Sequence, residues 1–164
     1  MKKIIASIIS SFFIIGMAQA QYNQATDTYT LQDADVTVVN GVITACSTSA
    51  TEWGTGKLII PKTLDGQTVS ALNGSNGVFR YKYINDIQFP ETLSSIGDNA
   101  FLGNIIDDLI IPDHIKYLGT NAFYFSFSIK TLIISQNIDT IREGTFDHAK
   151  INFLTNVIVA SCLF

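Results

Sequence analysis

Apolar and polar positions in the second half of the chain recur with a period of 22 to 23 residues. Four phenylalanines, Phe79, Phe101, Phe123 and Phe146, are spaced 22, 22 and 23 apart. The lines that carry the last three are Ile96-Gly97-Asp98-Asn99-Ala100-Phe101, Leu118-Gly119-Thr120-Asn121-Ala122-Phe123 and Ile141-Arg142-Glu143-Gly144-Thr145-Phe146. Each follows a short apolar run: Ile87-Gln88-Phe89-Pro90, Leu109-Ile110-Ile111-Pro112 and Leu132-Ile133-Ile134-Ser135. From Pro90, Pro112 and Ser135 the next Phe is always 11 residues on. An earlier copy, Leu58-Ile59-Ile60-Pro61, reaches Phe79 only after 18, so it carries an insertion. A fixed apolar pattern at this period predicts a solenoid. Each apolar run is a short strand, which Pro ends because it has no N–H for the ladder. Alternation sends Leu109 and Ile111 inward and Ile110 outward. Ile115, Leu118, Ala122 and Phe123 then fill the other side of the coil, with the Phe residues stacked as an internal column. Gly97 and Gly119 fall where a tight or positive-φ turn is expected. A single coil cannot bury its own apolar face, so neighbours stack and their strands form a parallel sheet.

The ends differ from the repeats. Segments 28–31, 36–39 and 42–46 read as strands, with Asn40-Gly41 as a hairpin turn. Residues 21–56 are therefore expected to form an extension and a β-rich N-terminal cap, with 21–26 frayed and 48–56 a Ser/Thr/Gly loop. Asp65-Gly66 marks a turn in the longer first coil, and Asn73-Gly74-Ser75-Asn76-Gly77 a flexible one. The solenoid spans 57–164, its last repeat incomplete. The final residues are apolar where a solenoid end normally has a polar cap, which suggests a chain truncated from a longer protein.

The lines from Pro90 to Phe101 and from Pro112 to Phe123 resemble the BspA-like (Treponema pallidum-type) leucine-rich repeat family, whose pattern is close to I-P-x-x-[IV]-x-x-I-G-x-x-A-F. The third copy departs, with Ser135 for Pro, Arg142 for Gly and Thr145 for Ala. The resemblance covers 57–153. It implies a leucine-rich repeat fold and, because many members are secreted or surface proteins, a role in host contact or adhesion. The motif is structural and brings no catalytic residue with it. The expected architecture is a β-rich solenoid with short parallel strands, about four 22–23-residue repeats and a β N-terminal cap.

Residues 1–20 read as a secretory signal peptide. Lys2 and Lys3 give the positive start, an apolar run follows, and Ala18-Gln19-Ala20 has the small-x-small form that precedes cleavage before Gln21. The run is about 14 residues, and a spanning helix needs about 20. No other stretch is long enough to span as a helix, so the mature chain is expected to lack a transmembrane helix and to be secreted or held at the cell surface. The 164 residues carry Lys+Arg 10 and Asp+Glu 14, a formal charge of −4. That length fits one domain, and the acidic balance argues against a nucleic-acid partner. Two cysteines exclude a disulfide-dense scaffold or a four-cysteine zinc site. Strands stack about 4.8 Å apart, so several coils separate Cys46 from Cys162, and both are expected to be free thiols.

Candidate chemistry is sparse. His114 and His148 occupy different phases of the repeat and do not converge, so neither a catalytic triad nor a Cys/His pair is implied. Asp107, Asp108 and Asp113 cluster near one strand, but alternation splits the first two, and a solvated turn is the simpler reading. No catalytic residue, metal site or cofactor is predicted. Two surfaces stand out instead. The first is aromatic: Tyr81, Tyr83, Phe125 and Phe127 lie two and four residues beyond Phe79 and Phe123. Ile84, Ile106 and Ile129 already supply the apolar residue before each strand, so these aromatics are surplus. They predict an exposed patch for a protein or carbohydrate partner, against inward packing as the competing reading. The second is the outward row of the sheet, Ile59, Gln88, Ile110 and Ile133, where leucine-rich repeats commonly bind; β-branched filler is the alternative there.

The sequence thus predicts a secreted or surface binding module that recognises an extracellular protein or glycan. A structural spacer within a longer surface protein is the first alternative, and a glycan-active enzyme, which needs a carboxylate pair across a cleft, is the second.

Overall fold

Short β-branched runs ended by Pro form strands that one coil cannot bury alone, and the chain solves this by stacking them. The computed structural model describes residues 22–23, 27–48, 56–127, 129–138, 140–151 and 157–159. The expected leader, most of the 48–56 loop, and Cys162 lie outside them.

The elements are β1 (Tyr22–Asn23), β2 (Thr28–Thr30), a 3-10 turn (Asp33–Asp35), β3 (Val36–Val39), β4 (Val42–Cys46), β5 (Lys57–Ile59), β6 (Thr63–Leu64), β7 (Gln67–Thr68), β8 (Ala71–Leu72), β9 (Asp86–Gln88), β10 (Ser95–Ile96), β11 (Asp108–Ile110), β12 (Tyr117–Leu118), β13 (Thr131–Ile134) and β14 (Val157–Val159). No α-helix occurs among the described residues. One face of the stack carries β1-β2-β5-β9 and then β11-β13-β14; a second sheet runs β12-β10-β8-β4-β3. Apart from the antiparallel pairs β1–β2 and β3–β4 at the N-terminal end, pairing along both is parallel, for example Leu58↔Ile87, Leu109↔Leu132 and Ile96↔Leu118. Parallel strands without an α-helix among the described residues fit a β-rich repeat solenoid. The second row of strands, Ala71–Leu72, Ser95–Ile96 and Tyr117–Leu118, is too short to read as strands from the sequence.

Alternation holds on the first face. Leu58, Ile60, Leu109 and Ile111 are buried, while Ile110 is 51% exposed. Behind them runs the phenylalanine column. Phe79, Phe101 and Phe123 are fully buried and stack at 5.3 and 5.5 Å between ring centroids, with Phe146 a further 5.8 Å on. Each such pair contributes about 0.5–1.5 kcal/mol beyond the area it buries. Ile84, Ile106 and Ile129 are buried as well.

Gly97 and Gly119 do not serve the turn expected of them. The positive φ falls two residues later, at Asn99 and Asn121, both φ 55°. The glycines are needed because the coils approach closely. A Cβ on Gly97 would lie 2.6 Å from the Leu72 carbonyl oxygen, and one on Gly119 2.5 Å from Asp98 N.

The N-terminal segment is built into the stack. Asn40 and Gly41, at φ 52° and 76°, make the predicted hairpin turn between β3 and β4; both central residues of that turn type need φ > 0. β4 then pairs in parallel with β8, and β2 with β5, so both sheets run on through 28–46. Asp35 is buried but satisfied, accepting from Tyr29 Oη at 2.9 Å and Gln32 N at 2.7 Å. The expected frayed start differs: Tyr22–Asn23 pairs antiparallel with β2, whose open edge offers unpaired backbone groups. The insertion after Pro61 is the hairpin β6–β7, turning at Asp65-Gly66 (φ 49° and 66°). Gln67 pins it to the β3–β4 hairpin, accepting from Gly41 N at 3.0 Å and donating to the Val38 carbonyl at 3.2 Å.

Candidate binding surfaces

Each coil turns at its Phe through two residues with φ > 0. Two positions before the Phe they are Gly77, Asn99, Asn121 and Gly144, at φ 80°, 55°, 55° and 69°. Two positions after it they are Tyr81, Gly103, Phe125 and His148, at 53°, 72°, 54° and 54°. Tyr83, four after Phe79, sits at 58°. Gly and Asn adopt this conformation readily, whereas a bulky aromatic there is an outlier. Backbone bonds between coils impose it. Tyr81 N donates to Leu102 O at 2.8 Å, Gly103 N to Tyr124 O at 2.8 Å, and Phe125 N to Asp147 O at 3.1 Å.

Asn104 locks the first of these turns. Its side chain is fully buried. Nδ2 donates to the carbonyls of Phe79 (2.8 Å) and Phe101 (2.7 Å), and Oδ1 accepts from Lys82 N and Ile84 N, both at 3.1 Å. One amide thus brackets the segment that bears Tyr81 and Tyr83. The same offset in the next coil is Ser126, fully buried with a hydroxyl that finds no partner. Sequence reasoning passed over Asn104. Its signal was a lone Asn at a phase otherwise held by Lys82, Ser126 and Ala149.

The aromatic candidates face solvent. Tyr81 is 51% exposed, Tyr83 56% and Phe127 39%; Phe125 is half-buried. The Tyr81 ring lies over Gly103, where a Cβ would meet its edge at 2.0 Å, and carries the Arg80 guanidinium 4.9 Å from its centroid. Phe125 gathers the rest: Tyr124 at 4.6 Å, Phe127 at 5.6 Å, and His148 stacked at 4.9 Å. Phe125 and Phe127 are thus brought together, while Tyr81 and Tyr83 sit on the same side of the stack two coils away, with Gly103 and Ile105 at the equivalent positions between. His148, not foreseen as part of this ridge, belongs with Phe125.

The outward row of the sheet is uneven. Gln88 and Ile110 are exposed, while Ile59 and Ile133 are half-buried. The cause is a break in the sheet between β9 and β11, which lie in separate hydrogen-bonded sets. The coils are still joined just before it, by Asp107 N to Asn85 O at 2.9 Å. Beyond that point Asp86 and Asp108 occupy the same position on facing strands, and like charges directly opposite oppose pairing. Phe89 also stands where the other coils place Ile60, Ile111 and Ile134. The break opens a shallow groove lined by Asp86, Gln88, Asp108, Ile110, Pro112 and Thr131. Lys57 and Asp86 pair across β5–β9 at 3.1 Å. Lys130 and Asp107 pair at 2.9 Å, and that hydrogen bond, with the charge of Asp107, raises the lysine pKa. Exposed pairs of this kind contribute little to stability.

Among the described residues, no nucleophile–base pair forms around either surface. His148 is exposed with Nδ1 3.2 Å from Asp147, and half-buried His114 lies in another part of the coil, its Nε2 without a partner. Cys46 is free and half-buried, and burial pushes its thiol pKa up, away from the reactive thiolate. Among the described residues no helix is long and apolar enough to cross a membrane.

A stack of parallel coils with exposed rows of repeat-equivalent residues is the architecture of a repeat protein that presents surfaces. The chain belongs to the BspA type leucine rich repeat family: six copies of its repeat region match residues 74–161, more than half of the sequence. Repeats of this kind generally mediate protein binding and are generally not enzymes. No curated protein and no solved structure matches the chain.

Proposed function

We propose that the protein is a secreted or cell-surface recognition module, without catalysis of its own, that binds an extracellular protein across its strand face. The carrying observation is the break between β9 and β11. It leaves Ile110 half-exposed beside a groove edged by Asp86, Asp108 and Gln88, an apolar centre within a polar rim, the anatomy of a protein interface. The leader-like start of the sequence supports export, and family membership supports binding.

The test is surface binding of the purified protein to a panel of purified extracellular matrix proteins, with Ile110→Asp as the variant. Saturable binding that falls about tenfold or more in Ile110→Asp, with folding intact, is expected. Binding that survives the substitution places the contact elsewhere. A folded protein that binds none of the panel favours the spacer role.

A further inference from the structure

The aromatic ridge is a second surface, separate from the strand face, and three independent features of it converge. The first is residue choice. Tyr81, Tyr83 and Phe125 hold φ of 53°, 58° and 54°, a conformation that costs a bulky residue about 1 kcal/mol or more. The same row fills that position with Gly103 one coil away. The backbone therefore does not ask for these rings. Asn104 brackets the turn that bears Tyr81 and Tyr83, and a coil-to-coil hydrogen bond from Phe125 N to Asp147 O holds the turn that bears Phe125.

The second feature is charge. The turns 79–83, 101–105, 123–127 and 146–150 contain Arg80, Lys82 and Lys150 against one acid, Asp147, in a chain with Lys+Arg 10 and Asp+Glu 14. Arg80 lies on the Tyr81 ring, and the Lys82 ammonium is held by the Thr48 carbonyl beside the turn. Asp147 is turned to His148. The basic charge lies at the two ends of the ridge, in the first and last turns, with the turns between uncharged.

The third is shape. The rings form two pairs, Tyr81 with Tyr83 on one coil and Phe125 with Phe127 two coils on, with Gly103 and Ile105 at the same offsets between them. Tyr81, Tyr83 and Phe127 are exposed, while Arg80 lies on one face of Tyr81 and His148 stacks on Phe125. A protein partner typically needs about 800 Å² on each side, more than four partly exposed rings provide. A polymer of repeated units with flat apolar faces, hydroxyls and negative charge fits better: faces stack on rings, hydroxyls meet the tyrosine oxygens, and carboxylates meet Arg80 and Lys150.

We propose that the ridge of Tyr81, Tyr83, Phe125 and Phe127 binds an acidic polysaccharide, a chain of uronic-acid type, independently of the strand face.

The probe is polygalacturonate, with cello-oligosaccharide as its uncharged counterpart and poly-glutamate and oligo-dT as anions without sugar rings or with stacking bases. Calorimetry and affinity electrophoresis on the purified protein read the binding. Polygalacturonate is expected to bind saturably. Raising salt from 0.1 to 1 M, which shortens the screening length from about 10 to about 3 Å, should weaken it. The double variant Tyr81→Asn/Tyr83→Asn keeps residues suited to φ > 0 and should fold with an unchanged melting temperature while losing about tenfold or more in affinity. Lys150→Glu should weaken binding, and Ile110→Asp should leave it untouched. Failure of polygalacturonate to bind the folded protein overturns the proposal. So does equal binding of cello-oligosaccharide, poly-glutamate or oligo-dT, or full binding by the double tyrosine variant. Loss in Ile110→Asp alone would return the site to the strand face and leave the protein-recognition reading to stand by itself.

Discussion

Two rows of residues flank the phenylalanine column and face the same backbone demand. Before each Phe the chain meets φ > 0 with Gly77, Asn99, Asn121 and Gly144. After each Phe it meets the same demand with Tyr81, Gly103, Phe125 and His148. The first row is what conformational energy alone selects. The second includes two bulky aromatics that the backbone disfavours, Tyr81 half in solvent and Phe125 half-buried. The difference separates residues chosen by the coil from residues chosen for what they display.

The comparison breaks most violently at the column both rows flank. Phe101→Ala removes a fully buried ring stacked on two others and should cost about 3–5 kcal/mol in a urea denaturation. A cost under about 1 kcal/mol would mean the stack is not the core. Asn104→Ala should follow at about 2–4 kcal/mol, because it strands two carbonyls and two N–H groups inside the turn. It should also disturb Tyr81 and Tyr83, visible as a change in tyrosine fluorescence or near-UV dichroism; an unaltered signal would show that the bracket does not position them.

Gly97→Ala tests the close approach of coils. With the Leu72 carbonyl oxygen 2.6 Å from the new Cβ, about 1–3 kcal/mol should be lost, although φ there is not positive. Asn99→Ala probes the row the backbone does choose: an alanine held at φ 55° should cost about 1 kcal/mol, read as a lower denaturation midpoint.

Much of this architecture is legible in the sequence, and what is not has physical reasons. Phe79 through Phe146 recur at the period of a repeat solenoid, and the alternation of Leu109, Ile110 and Ile111 fixes which face each strand buries. Gly97 and Gly119 were readable as required glycines but not as to why. Close approach and positive φ both demand glycine, and only the coil spacing tells them apart. The second row of strands is two residues long per coil, below the length at which alternation carries a signal. The sheet break had a trace, Asp86 and Asp108 in the same phase of the repeat, which becomes meaningful only once those strands are neighbours. Surplus aromatics pointed to the ridge. Its strained backbone, and the Asn104 bracket behind it, depend on hydrogen bonds between coils that no single repeat reveals.

The central claim is that the ridge aromatics are displayed by the fold rather than needed by it. The stability of Tyr81→Asn, measured by chemical denaturation beside the parent, tests it most directly. Losing a ring that is half in solvent costs about 1 kcal/mol of burial, and relieving an aromatic at φ 53° returns about as much. The account predicts a change within about 0.5 kcal/mol of zero. A loss of about 2 kcal/mol or more would show that Tyr81 is part of the core and that the two rows do not differ in kind.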